Sequence, residues 1–589
     1  MAILQILVTQ FGAGPFTARL ASLLMATAAL AWWGSRSVDP SAGLHLPAFL
    51  LGLVTDYFAY AAIVHHIGAI SQLPTLAVPA SYAIGRLVCF VATRVANLRK
   101  RSNFDGSLRT ANSIGIRELA VVLAAACAVG LSGNYALNAL LAALDKEPLR
   151  STLRHAFEVG DLQIASALVG NSDLGVHQTT DCLIFDMASQ ETIDPALYLL
   201  AGARTEGASG YFGSNCAALR DRLIGDTVVR GSNWYLRYLH GDRAVAILLL
   251  KFLSVRELRV TLKASCYGIF GLGIVMNLLL AVWPSGGGSF SWRPDHVALA
   301  LIGVPFLTFF GIPYFGQSIT MAPAAFVVGL FLMAVSVLVW LNRLTERTAV
   351  FLAIGYGLLT AYFEFLTGYA PVGACVLLAL GAIIGSSRAM SLWQLTRWTT
   401  LTVGAFASAL IGMFALHQVV TAAFHPLGKQ ILLSFLFALS VRMGGTTESA
   451  GGEVITPISF TDLGNALLAH LPHLGVFGET AAFGIILASL GLCLFLTCDI
   501  LVSRLTLADK ACFLLASGSF LPVGLWILLF KNHTVVHSSF MVRLLVVIPL
   551  AAFLSLYLWA FFLPRLRAQR PVKLREGRDG MAGSRFSGT

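Results

Sequence analysis

Residues 321–341 read MAPAAFVVGLFLMAVSVLVWL, without one charged side chain. At about 1.5 Å per residue, a helix of this length spans the roughly 30 Å hydrocarbon core of a bilayer. Arg343 and Arg347 follow at once, and then a second apolar run opens at 348. An uncharged run, a short basic turn and another run is the pattern of a helical hairpin through lipid. The same reading extends outward to 118–143, 262–283, 296–311, 348–366, 370–386, 399–418, 481–502, 510–529 and 541–563. Upstream, 17–35 and 43–70 also read as spans, the second with Asp56 inside it and His65 and His66 close by, and 76–97 is interrupted by Arg86 and Arg94. The total is twelve or thirteen.

Composition agrees with lipid as the solvent. The 589 residues are 57% hydrophobic and 12% charged, against about 25% charged in soluble domains, and mean hydropathy is +0.77. The net charge of +11 does not indicate a nucleic-acid partner, because the basic residues gather in short loops. Arg99, Lys100, Arg101, Arg109 and Arg117 precede the helix at 118, which makes that side cytoplasmic. Alternation then places Arg343/Arg347, Arg388/Arg397, Arg504/Lys510 and the basic tail on the same side. The fold expected is all-α and polytopic. It comprises an N-terminal membrane segment (1–117), a transmembrane helix (118–143), a large extracytoplasmic loop (144–261), a multi-helix membrane domain (262–563) and a basic tail (564–589). The localisation expected is the bacterial inner (plasma) membrane.

The loops at 144–261, 419–480 and 530–540 share the outer face. Within the first, Trp234 to Leu262 combines aromatic (Trp234, Tyr235, Tyr238), basic (Arg237, Arg243, Lys251, Arg256) and apolar residues (Val245, Leu248, Leu249, Phe252, Leu253), a pattern that predicts an interfacial helix. Cys182 and Cys216 are the only two of nine cysteines outside apolar runs, and an oxidising compartment would allow them to pair.

Candidate chemistry lies on that face. Glu364 closes its span in Tyr362-Phe363-Glu364-Phe365-Leu366-Thr367, either lining an outer cavity or reaching into interfacial water. Asp173 and Asp181 flank His177 and threonine hydroxyls, where a carboxylate could serve as general base or as an ordinary cap. His533 and His537 share a helix face, and with Lys531 and Arg543 they suit an anionic headgroup better than a metal, for which a third ligand is missing. No Walker loop, GxSxG, HExxH or zinc spacing occurs.

Three phrases occur in order: Arg237-Tyr238-Leu239-His240-Gly241, Tyr362-Phe363-Glu364-Phe365-Leu366-Thr367, and Asn532-His533-Thr534-Val535-Val536-His537 leading to Arg543. Over about 118–563 they resemble a poorly characterised group of bacterial multi-pass proteins similar to GT-C-type glycosyltransferases. In that group the phrases read roughly Arg-Tyr-Trp-His-Gly, Phe-Phe-Asp-Phe-Leu-Thr and Asn-His-Ser, then His and Arg. Thr180-Asp181 matches a Thr-Asp pair of the group; His177 stands where it carries a companion Asp, and Glu364 where it carries Asp. The resemblance implies transfer of a sugar, for instance a pentose such as arabinose, from a polyprenyl-phosphate donor to an extracytoplasmic glycan or glycolipid. Asp181 or a neighbouring carboxylate would be the base, and Arg237, His240, His533 and Arg543 would hold the lipid phosphate. It implies no cofactor, with a divalent metal left open, and membrane lipid as a partner. The alternatives are a transporter or flippase of a lipid-linked sugar, and a non-catalytic envelope-assembly protein.

Overall fold

The structure, a computed structural model, describes residues 114–164, 178–190, 202–205, 215–224, 232–235, 238–282, 293–363, 368–424, 458–474 and 478–568, with short stretches between 433 and 455. The three N-terminal apolar runs with Asp56, the sites Asp173, His177, Arg237 and Glu364, and the tail beyond 568 lie outside the described residues.

The elements run α1 (Ile116–Ala142), α2 (Glu147–Glu158), α3 (Gln178–Ser189), β1 (Gly202–Thr205), α4 (Asn215–Ile224), β2 (Ser232–Tyr235), α5 (Gly241–Leu249), α6 (Val255–Val282), α7 (Pro294–Phe309), α8 (Ile312–Phe315), α9 (Ala322–Trp340), α10 (Glu346–Phe363), α11 (Tyr369–Ser387) and α12 (Leu392–Phe424). There follow β3 (Thr447–Glu448), β4 (Val454–Ile455), α13 (Phe460–Leu468), α14 (Gly478–Val502), α15 (Leu507–Ser517), α16 (Leu521–Leu529), α17 (Lys531–Val536), α18 (Ser538–Met541) and α19 (Val547–Ala568). Among the described residues the chain is helical apart from two short antiparallel pairs, β1–β2 and β3–β4, in keeping with the all-α expectation.

Among the described residues, α1, α6, α9, α11, α12, α14 and the segment Ser538–Leu563 are long and apolar enough to cross a membrane. The pair α15–α16, bent by 46°, makes an eighth. This is a multi-pass membrane protein. The helix α7 is apolar but has only 16 residues, and α10 opens on Glu346 and Arg347; both pack along the spans. The helix α11 is central, with 78% of its apolar window buried in protein, whereas α1 is peripheral, with 17%.

One end of the bundle is laced by basic side chains. Arg347 pairs with Glu118 at 2.6 Å, Arg397 grips Glu346 at 2.9 and 3.0 Å, and Arg388 donates to the Leu344 carbonyl at 2.6 Å. The insert between α1 and α6 packs at the other end. Its helix α2 buries Leu149, Leu153 and Ala156, spaced at helical period. From its polar side, Arg150 and Arg154 donate to the carbonyls of Ser189 and Leu223, the negative ends of α3 and α4. Arg222 of α4 pairs with Asp186 of α3 at 2.8 Å.

Cys182 of α3 and Cys216 of α4 are disulfide-bonded across a sequence separation of 34. Loop closure of that size contributes about 3–4 kcal/mol. The expected result for Cys216→Ser is a clear drop in unfolding temperature and loss of the mobility shift on reduction, read by thermal denaturation and non-reducing gels.

The interfacial helix expected from 234 to 262 is corrected. Trp234 and Tyr235 belong to β2, the chain turns at His240 in the left-handed region (φ 58°), and α5 is short. Its basic residue Arg243 is fully buried rather than turned to headgroups. The chain breaks again before α6, where Ser254 and Glu257 exchange hydrogen bonds at 2.7 and 3.2 Å, a capping box that starts the span at 255 rather than 262.

Candidate active site

The end of the bundle that carries the insert brings together the first and third phrases, with Tyr362 of the second packed against Gly241. At its base is Arg543, on a 3-10 turn at Val542–Val546 and fully buried. Its guanidinium carbon lies 5.0 Å from the ring centroid of Tyr369, 5.6 Å from that of Phe315 and 5.7 Å from that of Phe540. It donates to the Phe540 carbonyl at 2.7 Å. Three aromatic faces are a fitting wall for a weakly hydrated planar cation. Tyr369 is fixed in turn by its hydroxyl, which donates to the Met321 carbonyl at 2.8 Å.

His533 and His537 stand on α17 and its C-terminal residue, one helical turn apart, with ring centroids at 4.5 Å. His537 stacks on Phe540 at 4.9 Å. Burial, together with the positive charge of Arg442, pushes the His537 pKa down to about 3. His537 is therefore a neutral imidazole at physiological pH. The sign of the linkage follows: a base whose folded pKa lies below its unfolded value contributes fully above about 6.5, and that contribution is lost as pH falls toward 3. His537→Gln should flatten the acid side of the stability profile between these limits, as read by unfolding temperature against pH.

Arg442 joins the two phrases. It donates to the Tyr238 hydroxyl at 3.0 Å, and its charge acts on His537. Tyr238 meets His240 edge-on at 6.5 Å and Phe414 at 6.3 Å. His240 is buried, and the next residue, Gly241, lies against Tyr362. A methyl group at Gly241 would stand 2.6 Å from Cδ1 of Tyr362 and 2.7 Å from its carbonyl oxygen. Gly241→Ala should cost about 1–3 kcal/mol as overpacking, seen as a lower unfolding temperature with the fold retained. Asp242 and Arg243 are also buried here. Lys146 lies close to Arg243, Lys251 and Arg150; burial first, and then these three charges, lower its pKa to about 8.

Asp181 sits on the other flank. Its Oδ1 accepts from the Ser318 hydroxyl at 2.7 Å and the Ile319 backbone N–H at 3.1 Å. The same loop carries Phe315, one wall of the Arg543 cage. Burial raises the Asp181 pKa to about 6, against the lowering effects of Arg259 and these donors. In this position the carboxylate clamps the insert onto the membrane domain.

Asp181, His240, His533, His537 and Arg543 thus share one end of the bundle. Four residues that the sequence reading did not assign to the site also belong here: Arg442, Tyr369, Asp242 and Arg243. Arg442 is the one cation in the stretch Phe437-Ala438-Leu439-Ser440-Val441-Arg442-Met443, and that isolation is the signal that could have marked it. Among the described residues, no group of three or more His, Cys, Asp or Glu could hold a metal ion. Comparison with family models, with curated proteins and with solved structures finds no match in any of the three.

Proposed function

We propose that the protein is a GT-C-like membrane glycosyltransferase, moving a sugar from a polyprenyl-phosphate donor to a glycan or glycolipid acceptor on the non-cytoplasmic face. The observation that carries this reading is the meeting of Tyr238 and His240 with His537, His533 and Arg543 through Arg442. These groups are far apart in sequence. The disulfide of the insert supports an oxidising compartment for that end, and the basic side chains at the opposite end support a cytoplasmic face there.

The chemistry follows from the charges. A donor of this class loses a lipid phosphate, so negative charge grows on the leaving oxygen. Arg543 is a fully buried positive charge and Arg442 a partly buried one, and in a low-dielectric surround charge acts over several ångströms. Arg543, being fully buried, acts as a fixed charge beneath the site. The acceptor hydroxyl must give up a proton as it attacks the anomeric carbon. A carboxylate with a pKa near 6 is matched to that task, which favours Asp181. One direct displacement inverts the anomeric centre.

The bend of 46° between α15 and α16 favours a second reading, a transporter of the same lipid-linked sugar, since broken spans line transport sites. Sealed vesicles loaded with acceptor and given labelled polyprenyl-phosphate sugar separate the two. Label covalently joined to acceptor supports the transferase. Label that crosses the bilayer without joining acceptor overturns it in favour of the transporter.

A further inference from the structure

Helices α1, α10 and α12 run in the same direction and stay in register. The Cys127 thiol lies 3.7 Å from the Ala409 carbonyl oxygen. A turn further on, a methyl group at Gly130 would touch Met413 at 3.4 Å and Leu358 at 3.7 Å. One turn beyond that layer the residues become Asn134, Tyr362 and His417, and the next turn brings Asn138 and Thr421. The Tyr135 hydroxyl, 3.3 Å from Nδ1 of His417, confirms the level.

This is a polar layer within helices that otherwise read as apolar. Asn134 is 4% exposed and Thr421 fully buried. Neither amide atom of Asn134, nor the Thr421 hydroxyl, nor the Tyr362 hydroxyl has a hydrogen-bond partner. Buried amides and hydroxyls need partners, because a low-dielectric surround supplies none. Here the groups come from three helices at neighbouring levels. Among the described residues, the outer face of α1 carries Val121, Val129 and Leu140, all more than 60% exposed.

We propose that this layer is a binding subsite for the neutral, hydroxyl-rich head of a membrane-embedded glycoside. The unpartnered groups are neutral amide and hydroxyl functions, which both donate to and accept from sugar hydroxyls and carry no positive charge to neutralise a phosphate. The Tyr238–Phe414 pair flanks the layer through the apolar cluster of Leu131, Leu239 and Met413, and aromatic faces suit the C–H faces of a sugar ring. The proposal deepens the transferase reading by naming a glycolipid as the acceptor class, and it rests on that reading for its biological role.

The test is binding, not turnover. The full chain in nanodiscs is exposed to a photoreactive alkyl glucoside, with and without excess unlabelled alkyl glucoside, and the labelled peptides are mapped. Saturable labelling of residues around 131–138 and 414–421 is expected. It should fall about tenfold or more in Asn134→Leu and in Thr421→Val, in line with loss of one or two hydrogen bonds. Unfolding temperature reports whether each variant is folded, and the Thr421→Val change is nearly isosteric. Labelling that does not saturate, or that is unchanged in both folded variants, overturns the proposal and leaves the groups to water. Equal competition by an alkyl phosphate also overturns it. Because labelling needs no transfer, its failure is distinguishable from failure of the transferase reading.

Discussion

Arg543→Met should lower the rate of sugar transfer by about 100-fold or more, with KM for the donor little changed. Arg543→Lys should recover part of that loss. The methionine fills the same aromatic space of Phe315, Tyr369 and Phe540 but removes the charge. The lysine keeps the charge and loses the planar fit to the rings. A group that stabilises charge only as the leaving phosphate develops it shows its effect in kcat, and removing such a group costs on the order of 100–1000-fold. If Arg543 were structural alone, lysine and methionine would fail together and protein yield would fall with activity. The measurement is initial rate in nanodiscs over a range of donor concentrations, with unfolding temperature recorded for each variant.

The second large effect concerns Asp181, where two substitutions separate clamp from base. Asp181→Ala removes the acceptor of the Ser318 hydroxyl and the Ile319 N–H and should cost about 1–3 kcal/mol for each donor left buried. Asp181→Asn keeps an accepting oxygen and removes the charge. The folded pKa of about 6 lies above the ordinary aspartate value of 3.8. Its stability contribution is therefore fully present below 3.8 and is lost as pH rises through 6. Asp181→Asn should accordingly be at least as stable as the parent at pH 7.5, with a flatter profile between pH 4 and 6. Transfer by this stable variant decides the role. Activity below about 1% of the parent identifies Asp181 as the base; activity near the parental rate leaves it as the clamp, and the buried carboxylate Asp242 on the Tyr362 side is then the next to replace.

How much of this was legible before the structure depends on what each residue answers to. The spans answer to lipid, a single strong constraint, and their apolar runs match the observed helices from α6 to α19 closely. The insert answers to tertiary contacts. Arg243 reads as a headgroup-facing cation beside apolar neighbours, yet it is enclosed, because α5 packs against α3, α1 and α10 and only the packing reveals which side is inward. His240 reads as part of a helix, but Gly241 must abut Tyr362, and the chain turns there instead. His533, His537 and Arg543 could be singled out because polar residues beside a span are conspicuous. Arg442 could not be placed, since its partners Tyr238 and His537 lie in segments remote along the chain and no local pattern encodes their meeting. Cys182 and Cys216 could be named as a pair only by exclusion of the other cysteines, and their separation along the chain carries no geometry.

The bridge from Tyr238 through Arg442 to His537 sets a timetable for biosynthesis. The insert is made well before its partners on α17 and the turn before α19. Ribosomes must therefore add every element from α6 to α16 while the early portion waits in a half-assembled state, and a product terminated ahead of α17 would still thread the bilayer yet leave Arg442 without His537.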